Sequence, residues 1–514
     1  MDQGKLLEGI TVLETRAGKI QPVTGLAYHS DRVSAGSLFV CIKGYKTDGH
    51  LYLKQAVENG AVASVVEEFQ ENIDIPQYRV ADSREALAAL ADSFYGHPSK
   101  ELNITGVTAT NGKTSTTYMI NAIFEEQGLK SGLIGTVIVK IDDRIHPAEL
   151  TTPESLDLHR YLRQMADKKV SHVVMEVSSS ALELKRVGSV DFNQVVVNNI
   201  SREHIDLHGS YEAYVKAKAS LVRKAREDQW AVINLDNHQT ALLANETRAR
   251  TFTYGLKNKL GDCVVSDLDL GTGRARFTVN LKKNNPAQLF ASQPDSFPIE
   301  LSVLGLHSVY NAMAAILVAL LHGFPVENIQ KALRKFRGVE RRFELIFEDD
   351  YMVLDDHFAN SGNIDVTLET LQMMKYEKLH LVYAIRGSRG VTVNRENAET
   401  LARWAPKLGL DKVIATISKS HVSEKDLVST EEQQVFENVM HEAGIKTEIY
   451  KELPDAVARG LAETSPGDVL LLAGCQGMDY GASICLEQIH RLRPDLPKEK
   501  VFASLKYRVA GILS

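Results

Sequence analysis

The residues with the plainest chemistry lie between Ile104 and Thr117, which reads I-T-G-V-T-A-T-N-G-K-T-S-T-T. A β-prone run over 102–107 leads into small residues, then Gly112, Lys113 and Thr114, then a helix-compatible segment through Glu126. That is the layout of a phosphate-binding loop. Glycines such as Gly106 and Gly112 let backbone N–H groups approach phosphate oxygens, Lys113 reaches the β- and γ-phosphates, and the Thr114 hydroxyl can ligate Mg²⁺. Thr110, Asn111 and Ser115 complete the expected ATP contact. Gly112 follows Gly106 by six residues, where the commonest loop of this kind has five. A chance match would leave a strand, a turn and a helix with no nucleotide role, so the partners elsewhere in the chain carry the decision.

Such a loop must be held by a sheet, and the chain is long enough for several. Its 514 residues, 44% apolar and 24% charged, predict about three domains with substantial cores. The net charge of −7 comes from 59 basic and 66 acidic residues that are evenly mixed, so nothing in the composition suggests a nucleic-acid footprint. Cys41, Cys263, Cys475 and Cys485 lack metal-ligand spacing, and the sequence shows neither a leader nor an apolar run long enough to span a membrane. A reducing cytoplasm is the expected compartment.

The fold class predicted is α/β in three domains. Residues 1–100 read as a small α/β module, with strands near 37–42 and 62–66 around a helix at 51–59. Residues 101–338 alternate strands near 102–108, 132–139, 171–177, 194–199 and 230–235 with helices, a largely parallel sheet covered on both faces. Alternation over 260–304 predicts an antiparallel ribbon. Residues 339–514 alternate strands near 352–355, 379–385, 411–417 and 468–472 with helices, a Rossmann-like sheet. Ligands of such sheets bind beyond the carboxyl ends of the strands. Glu176 ends one apolar run there and can hold Mg²⁺ opposite Thr114, although a strand-end Glu is ordinarily a solvated turn residue.

Several segments resemble the Mur ligase family, which joins an acid to an amine at the expense of ATP, and in particular its MurE-like branch. They are T-N-G-K-T at 110–114, T-T-P at 151–153, M-E-V-S-S at 175–179, N-N-I-S-R-E-H-I-D-L-H-G at 198–209 and the run G-S-L-F-V-C-I-K-G-Y-K-T-D-G-H at 36–50. Ala109 replaces a usual Gly, Ser180 a usual His and Leu184 a usual Gln. The resemblance implies a UDP-binding first domain, where only Ser30 of the family's D-S-R carries over. It implies substrate contacts at Thr151, Thr152, Ser178 and Arg186, and nucleotide contacts at Asn199, Asn234, His307, Asn311 and Asp355. It implies two Mg²⁺ held by Thr114, Glu176, His204 and Lys218, the last as a carbamate derived from CO₂. His208 and Lys216 are the neighbouring, plainly solvated alternatives. Arg342 matches a hinge arginine that can swing toward the phosphates, with Glu340 and Arg341 in place of the usual Pro-Gly; a surface ion pair is the alternative.

The expected chemistry is ADP-forming amide synthesis: an acid, UDP-linked and muramoyl-like by resemblance, is activated as an acyl phosphate and attacked by an amine. Lys113, Lys218, His204 and Glu176 are the expected catalytic group. In the third domain the architecture fits the family and the motifs do not. The D-N-P-R/K and G-K-G-H-E segments that read diaminopimelate or lysine are replaced by T-I-S-K-S-H at 416–421 and G-C-Q-G-M-D at 474–479. Arg386 and Arg389, in R-G-S-R-G, suit an acidic or phosphorylated partner. Dibasic amines are therefore not expected as the principal substrate. A ligase acting outside peptidoglycan on a specialised peptide or polymer, an ATP-binding partner protein without activity, and a small-molecule kinase are the alternatives. Beyond Pro497 a basic amphipathic helix is predicted, packed on the third domain or contacting a second copy.

Overall fold

The computed structural model describes every residue except 45–46, 202–208, 283–292, 510 and 512–514; His204 and His208 therefore lie outside the described residues. The chain divides into two compact units, Met1–Lys113 with Phe124–Thr253, and Thr114–Ile123 with Tyr254–Ser514. Both are α/β. Among the described residues no helix is long and apolar enough to cross a membrane.

The first unit opens with a five-stranded sheet in the spatial order Glu14–Arg16, Gln77–Arg79, Ala61–Val66, Ser37–Val40, Gly25–Ala27, antiparallel only at its first pair. The strand A-V-A-S-V-V is buried throughout because helix Ser83–Phe94 packs Leu87, Leu90 and Ala91 on one face, while helix Leu53–Glu58 packs Leu53 and Ala56 on the other. Such two-sided burial selects an unbroken apolar run over an alternating one.

The larger sheet of this unit runs Trp230–Asn234, Gln194–Val197, Asn103–Thr108, His172–Glu176, Ser131–Ile134, all parallel, then Ile138–Ile141 and Arg144–Pro147 antiparallel. The single strand expected over 132–139 is two strands of a hairpin, broken at Gly135, where a Cβ would stand 2.5 Å from a Glu176 carboxylate oxygen. The loop-bearing strand is central, so its carboxyl end is flanked by the ends of 172–176 and 194–197.

In the second unit Cys263–Asp269, Arg274–Leu281 and Ser296–Leu304 form the expected antiparallel ribbon. A six-stranded sheet follows, ordered Glu344–Glu348, Met352–Asp356, Val469–Gly474, Leu379–Ala384, Lys412–Thr416, Lys446–Tyr450, with only the first pair antiparallel. Alternate residues of its central strands feed two cores: Leu354, Leu381, Tyr383 and Leu471 on one face, Val353, Val382, Leu470 and Leu472 on the other. The edge strands 344–348 and 446–450 were not among the expected ones; E-L-I-F-E and K-T-E-I-Y are short, and each pairs on one side only. The tail is also different from expectation. It holds a four-residue helix, Lys498–Val501, and a 3₁₀ turn over Ala503–Tyr507, and then Arg508 adopts extended backbone. Val501 and the partly buried Phe502 and Leu505 pack on the third-domain core, which fixes the tail on its own chain.

Candidate active site

The loop after strand Asn103–Thr108 is held from both sides. Gly112 has φ +87°, a conformation open to glycine, and lets the chain turn into helix Lys113–Glu126. Asn199 grips the loop through its amide: its Oδ1 accepts the Asn111 N–H at 2.9 Å and its Nδ2 donates to the Asn111 carbonyl at 2.9 Å. Thr110 donates its N–H to the Asn199 carbonyl at 2.9 Å, accepts the Ser201 N–H at 2.9 Å, and lies 2.9 Å from the Tyr214 hydroxyl. Lys113 Nζ folds back to donate to the carbonyls of Ala109 at 2.9 Å and Thr110 at 3.1 Å.

Gly106 stands six residues before Gly112, in the body of the strand. It is paired in register with Met175 and Val195, and a Cβ there would stand 2.6 Å from the Phe192 ring. Close packing against Phe192 requires a glycine here. Lys218, on helix Tyr211–Arg223, is 1% exposed and donates to the Ala109 carbonyl at 2.7 Å from above the Tyr214 ring. Asn234 is likewise engaged with backbone, donating to the Asn198 carbonyl at 2.7 Å.

The expected acid-binding residues converge beside Glu176. This carboxylate is fully buried and accepts from the Thr136 N–H at 2.8 Å and the Thr136 hydroxyl at 3.1 Å. Thr136 Oγ1 is also 3.1 Å from Thr151 Oγ1, and Thr152 donates to the Glu176 carbonyl at 2.9 Å while accepting the Ser178 N–H at 3.1 Å. Ser178 caps the helix Ser179–Glu183. Arg186 donates to the Thr152 carbonyl at 3.3 Å and pairs with Glu154 at 2.8 Å. Glu154 also faces Arg84 at 3.5 Å, and both line a cavity of about 500 Å³ together with Tyr28, Ser30, Phe39 and Tyr52. Ion pairs and hydrogen bonds, the last two to backbone carbonyls, thus link a polar and aromatic cavity in the first domain to the strand end that carries Glu176.

Within the second unit, Thr114 lies in the first turn of that helix, its carbonyl accepting the Thr117 hydroxyl at 2.9 Å, and Ser115 follows half-buried. Thr116 donates to Asn311 Oδ1 at 3.2 Å, so Asn311 steadies the loop helix. His307 is half-buried between Thr370, 3.3 Å away, and the Phe343 ring, and desolvation pushes it down to about 4. Asp355 is fully buried and paired with Arg508 at 2.5 Å and Arg341 at 3.5 Å, which engages it inside the third domain. Asp356 accepts the Thr367 hydroxyl and the N–H groups of Phe343 and His357.

At the hinge, Arg341 has φ +57°, a value that suits the glycine of the resembled motif. It is buried and binds Asp479 and the carbonyls of Gly474 and Cys475. Arg342 is half-buried and donates to the Arg341 carbonyl at 3.1 Å. Burial, then Arg342, Arg341 and Arg386, holds His357 neutral well below the ordinary histidine range. In the R-G-S-R-G loop, Glu432 accepts the N–H groups of Ser388 (3.1 Å), Arg389 (2.9 Å) and Gly390 (2.7 Å). Arg386 donates to the Ala359 carbonyl, and Arg389 is exposed with no side-chain partner among the described residues.

Three segments match domains of one family: residues 22–95 match the Mur ligase family catalytic domain, 107–319 the Mur ligase middle domain, and 341–476 the Mur ligase glutamate ligase domain. The chain belongs to the Mur ligase family. It is 33% identical over 481 residues, 91% of this chain and 93% of the relative, to the UDP-N-acetylmuramoyl-L-alanyl-D-glutamate--2,6-diaminopimelate ligase of Bacillus licheniformis. It is 34% identical over 464 residues, 88% and 89% of the two chains, to the enzyme of that name from Geobacillus kaustophilus. A solved ligase of the same name shares its fold at TM-score 0.66 and 23% identity over 93% of this chain and 95% of the other, and Thermotoga maritima MurF in complex with ADP at 0.60 and 20% over 93% and 98%. This Mur ligase is an ATP-dependent, ADP-forming amide ligase.

Sequence reasoning missed several residues that shape the site. Thr136, Arg84 and Glu154 carry no local signal, since their partners are distant in the chain. Glu432 was legible in part: S-T-E-E over 429–432 is a capping box, and both of its reciprocal bonds form. That its carboxylate also reaches three N–H groups of another loop was not.

Proposed function

We propose that this ligase activates the terminal carboxylate of a UDP-linked muramoyl peptide, of the kind named for its relatives, and joins it to an amine that carries no second cation. The carrying observation is the line of contacts from the cavity around Ser30 through Arg84, Glu154 and Arg186 to Thr152, Ser178 and Glu176. The cavity suits a nucleoside diphosphate, with Tyr28, Phe39 and Tyr52 for an apolar ring and Arg84 for charge. The peptide then extends along Arg186, Thr151 and Thr152.

In this reading a carboxylate oxygen attacks the γ-phosphorus and ADP leaves. The amine nitrogen then attacks the acyl carbon, phosphate leaves, and the nitrogen gives up its proton. Lys113 leaves the carbonyls of Ala109 and Thr110 to meet the phosphates, and positioning supplies most of the acceleration. Thr114 and Glu176 offer the hard oxygen donors that Mg²⁺ takes, with His204 and Lys218 completing the proposed set; the metal would neutralise charge on the phosphates. Carbamylation of Lys218 would require its bond to the Ala109 carbonyl to be given up, because a carbamate oxygen cannot donate there. Labelled bicarbonate followed by NMR of the nucleotide-bound enzyme tests that step, and an unmodified lysine in an active enzyme would refute it.

The amine class follows from the rewritten third domain. Arg389 is open, and the acidic groups Glu344, Asp355 and Asp479 are already paired, so an acidic or neutral amine is favoured over diaminopimelate or lysine. The same departure favours, as a second reading, a product outside peptidoglycan. The four cysteines are free and buried, which suits the reducing cytoplasm. The tail packs on its own third domain, which favours an intramolecular role over a dimer contact; sedimentation equilibrium checks that. The deciding experiment is phosphate release with UDP-N-acetylmuramoyl-L-alanyl-D-glutamate and simpler acids against a panel of amines. ADP should form only when acid and amine are both present. AMP as product, or a stable phosphorylated product without amine, would overturn the assignment.

A further inference from the structure

The segment beyond Tyr507 carries a cation into the interior of the third domain. The Arg508 side chain is 1% exposed, and its Nη2 lies 2.5 Å from both Glu344 and Asp355. The neighbouring residues pin it there. Val509 donates its N–H to Glu340 at 2.7 Å, and Ser483 donates to the Gly511 carbonyl at 2.6 Å. A Cβ at Gly511 would stand 1.8 Å from the Asp479 carbonyl oxygen, so only glycine passes this point. Asp355 lies near the carboxyl end of strand Met352–Asp356, and Asp479 follows the end of Val469–Gly474; that edge is where open α/β sheets meet their ligands.

Among the described residues, the four carboxylates around Arg508 and Arg341 are each held by the protein itself. Glu344 holds Arg508 and the Arg341 N–H, Asp355 holds Arg508 and Arg341, Asp479 holds Arg341, and Asp356 is saturated by Thr367, Phe343 and His357. Among the described residues Asp355 Oδ1 makes no hydrogen bond but has Arg341 Nε 3.5 Å away, Arg386 and Arg508 each keep a buried Nε without a hydrogen bond, and the exposed Arg389 side chain has no partner. The edge is therefore poor in available negative charge because a cation of the chain has taken the place an ammonium would need.

We propose that Arg508 is a specificity-determining residue, which by occupying Glu344 and Asp355 denies them to a second ammonium on the incoming amine. It acts through those two carboxylates and does not touch the reacting atoms. This role presupposes that the third domain binds the amine. The experiment uses the full-length enzyme with ATP, Mg²⁺ and the UDP-linked dipeptide, and compares lysine and diaminopimelate with alanine and glutamate. Arg508→Gln should raise kcat/KM for the dibasic amines relative to the others by about tenfold, since like-charge juxtaposition is costly and unpaired carboxylates attract the ammonium. The gain should lie in the amine KM, with kcat and the KM values for ATP and the acid little changed.

Arg508→Lys should show a smaller shift in the same direction, because a point ammonium cannot bridge two carboxylates as a planar guanidinium does. An unchanged amine ratio in a folded Arg508→Gln enzyme, checked by its melting curve, overturns the proposal. Should that variant not fold, an unchanged ratio in Arg508→Lys does so instead. If the variants alter the ATP KM and leave every amine KM alone, the third domain is not the amine site. A wild-type panel led by diaminopimelate would separately overturn the amine class proposed above.

Discussion

Two glycine-containing loops in this chain share one local grammar, a buried parallel strand running into a turn and then a long helix, and they end in opposite electrostatic states. The loop before helix Lys113–Glu126 is gripped by the neutral amide of Asn199, and its cation Lys113 rests on carbonyls that it can leave. The loop before helix Val391–Leu408 has three successive N–H groups closed by the Glu432 carboxylate, and Gly387 is packed so tightly that a Cβ would stand 2.1 Å from the Asp426 carbonyl oxygen. A strand–loop–helix unit offers an anion site only if the protein does not fill it first. The second loop presents Arg389 on a fixed platform; its backbone nest is already taken.

The largest effect expected from breaking this contrast is at Lys113. Lys113→Ala should lower ATP-dependent phosphate release by about 10²–10³-fold or more, the cost of removing one preorganised charge-stabilising donor, with the melting temperature little changed. A variant retaining more than a tenth of the wild-type rate would show that the first loop is not the ATP site.

Glu432→Gln tests the other side. It should cost about 1–3 kcal/mol of stability in denaturant titrations, because several backbone N–H groups exchange a charged acceptor for a neutral one. If Arg389 is presented to the amine, that variant should also raise the amine KM more than it lowers kcat. Burial works to raise the Glu432 carboxyl, but the N–H groups of Ser429, Gly390, Arg389 and Ser388 outweigh it and hold it below its ordinary 4.5. Its stabilisation is thus full above about pH 4.5 and is lost as pH falls through the lower folded value. The acid limb of the stability curve should flatten in the glutamine variant.

His307 gives a smaller pH signature in the second unit. Burial depresses it from 6.5 to about 4, so the unfolded chain takes up the proton first, and its contribution is present above pH 6.5 and lost progressively down to about pH 4. His307→Phe should remove that slope; an identical slope in the variant would assign it to other groups. The smallest change is Thr116→Val, which loses the hydroxyl's bond to Asn311 and should cost about 1 kcal/mol with activity largely retained.

What the sequence determined by itself is the material that local spacing encodes. The order Gly112, Lys113, Thr114 after a β-prone run set the strand–loop–helix unit, uninterrupted apolar runs such as V-L-L-L-A-G announced buried parallel strands, and the fold class and family were legible from them. The carried-over set Thr151, Thr152, Ser178 and Glu176 proved to be neighbours because each sits at or beside the end of an adjacent strand. Only the tertiary structure decided what each polar group is bonded to. Gly106, read as part of the phosphate loop, also makes room for Phe192. Asp355 looked open to a nucleotide, yet it is closed by Arg508 from 153 residues away. The reason is physical: whether a charged side chain faces a ligand or a partner depends on what long-range packing brings within about 3 Å of it, and that distance is not written in the spacing of residues along the chain.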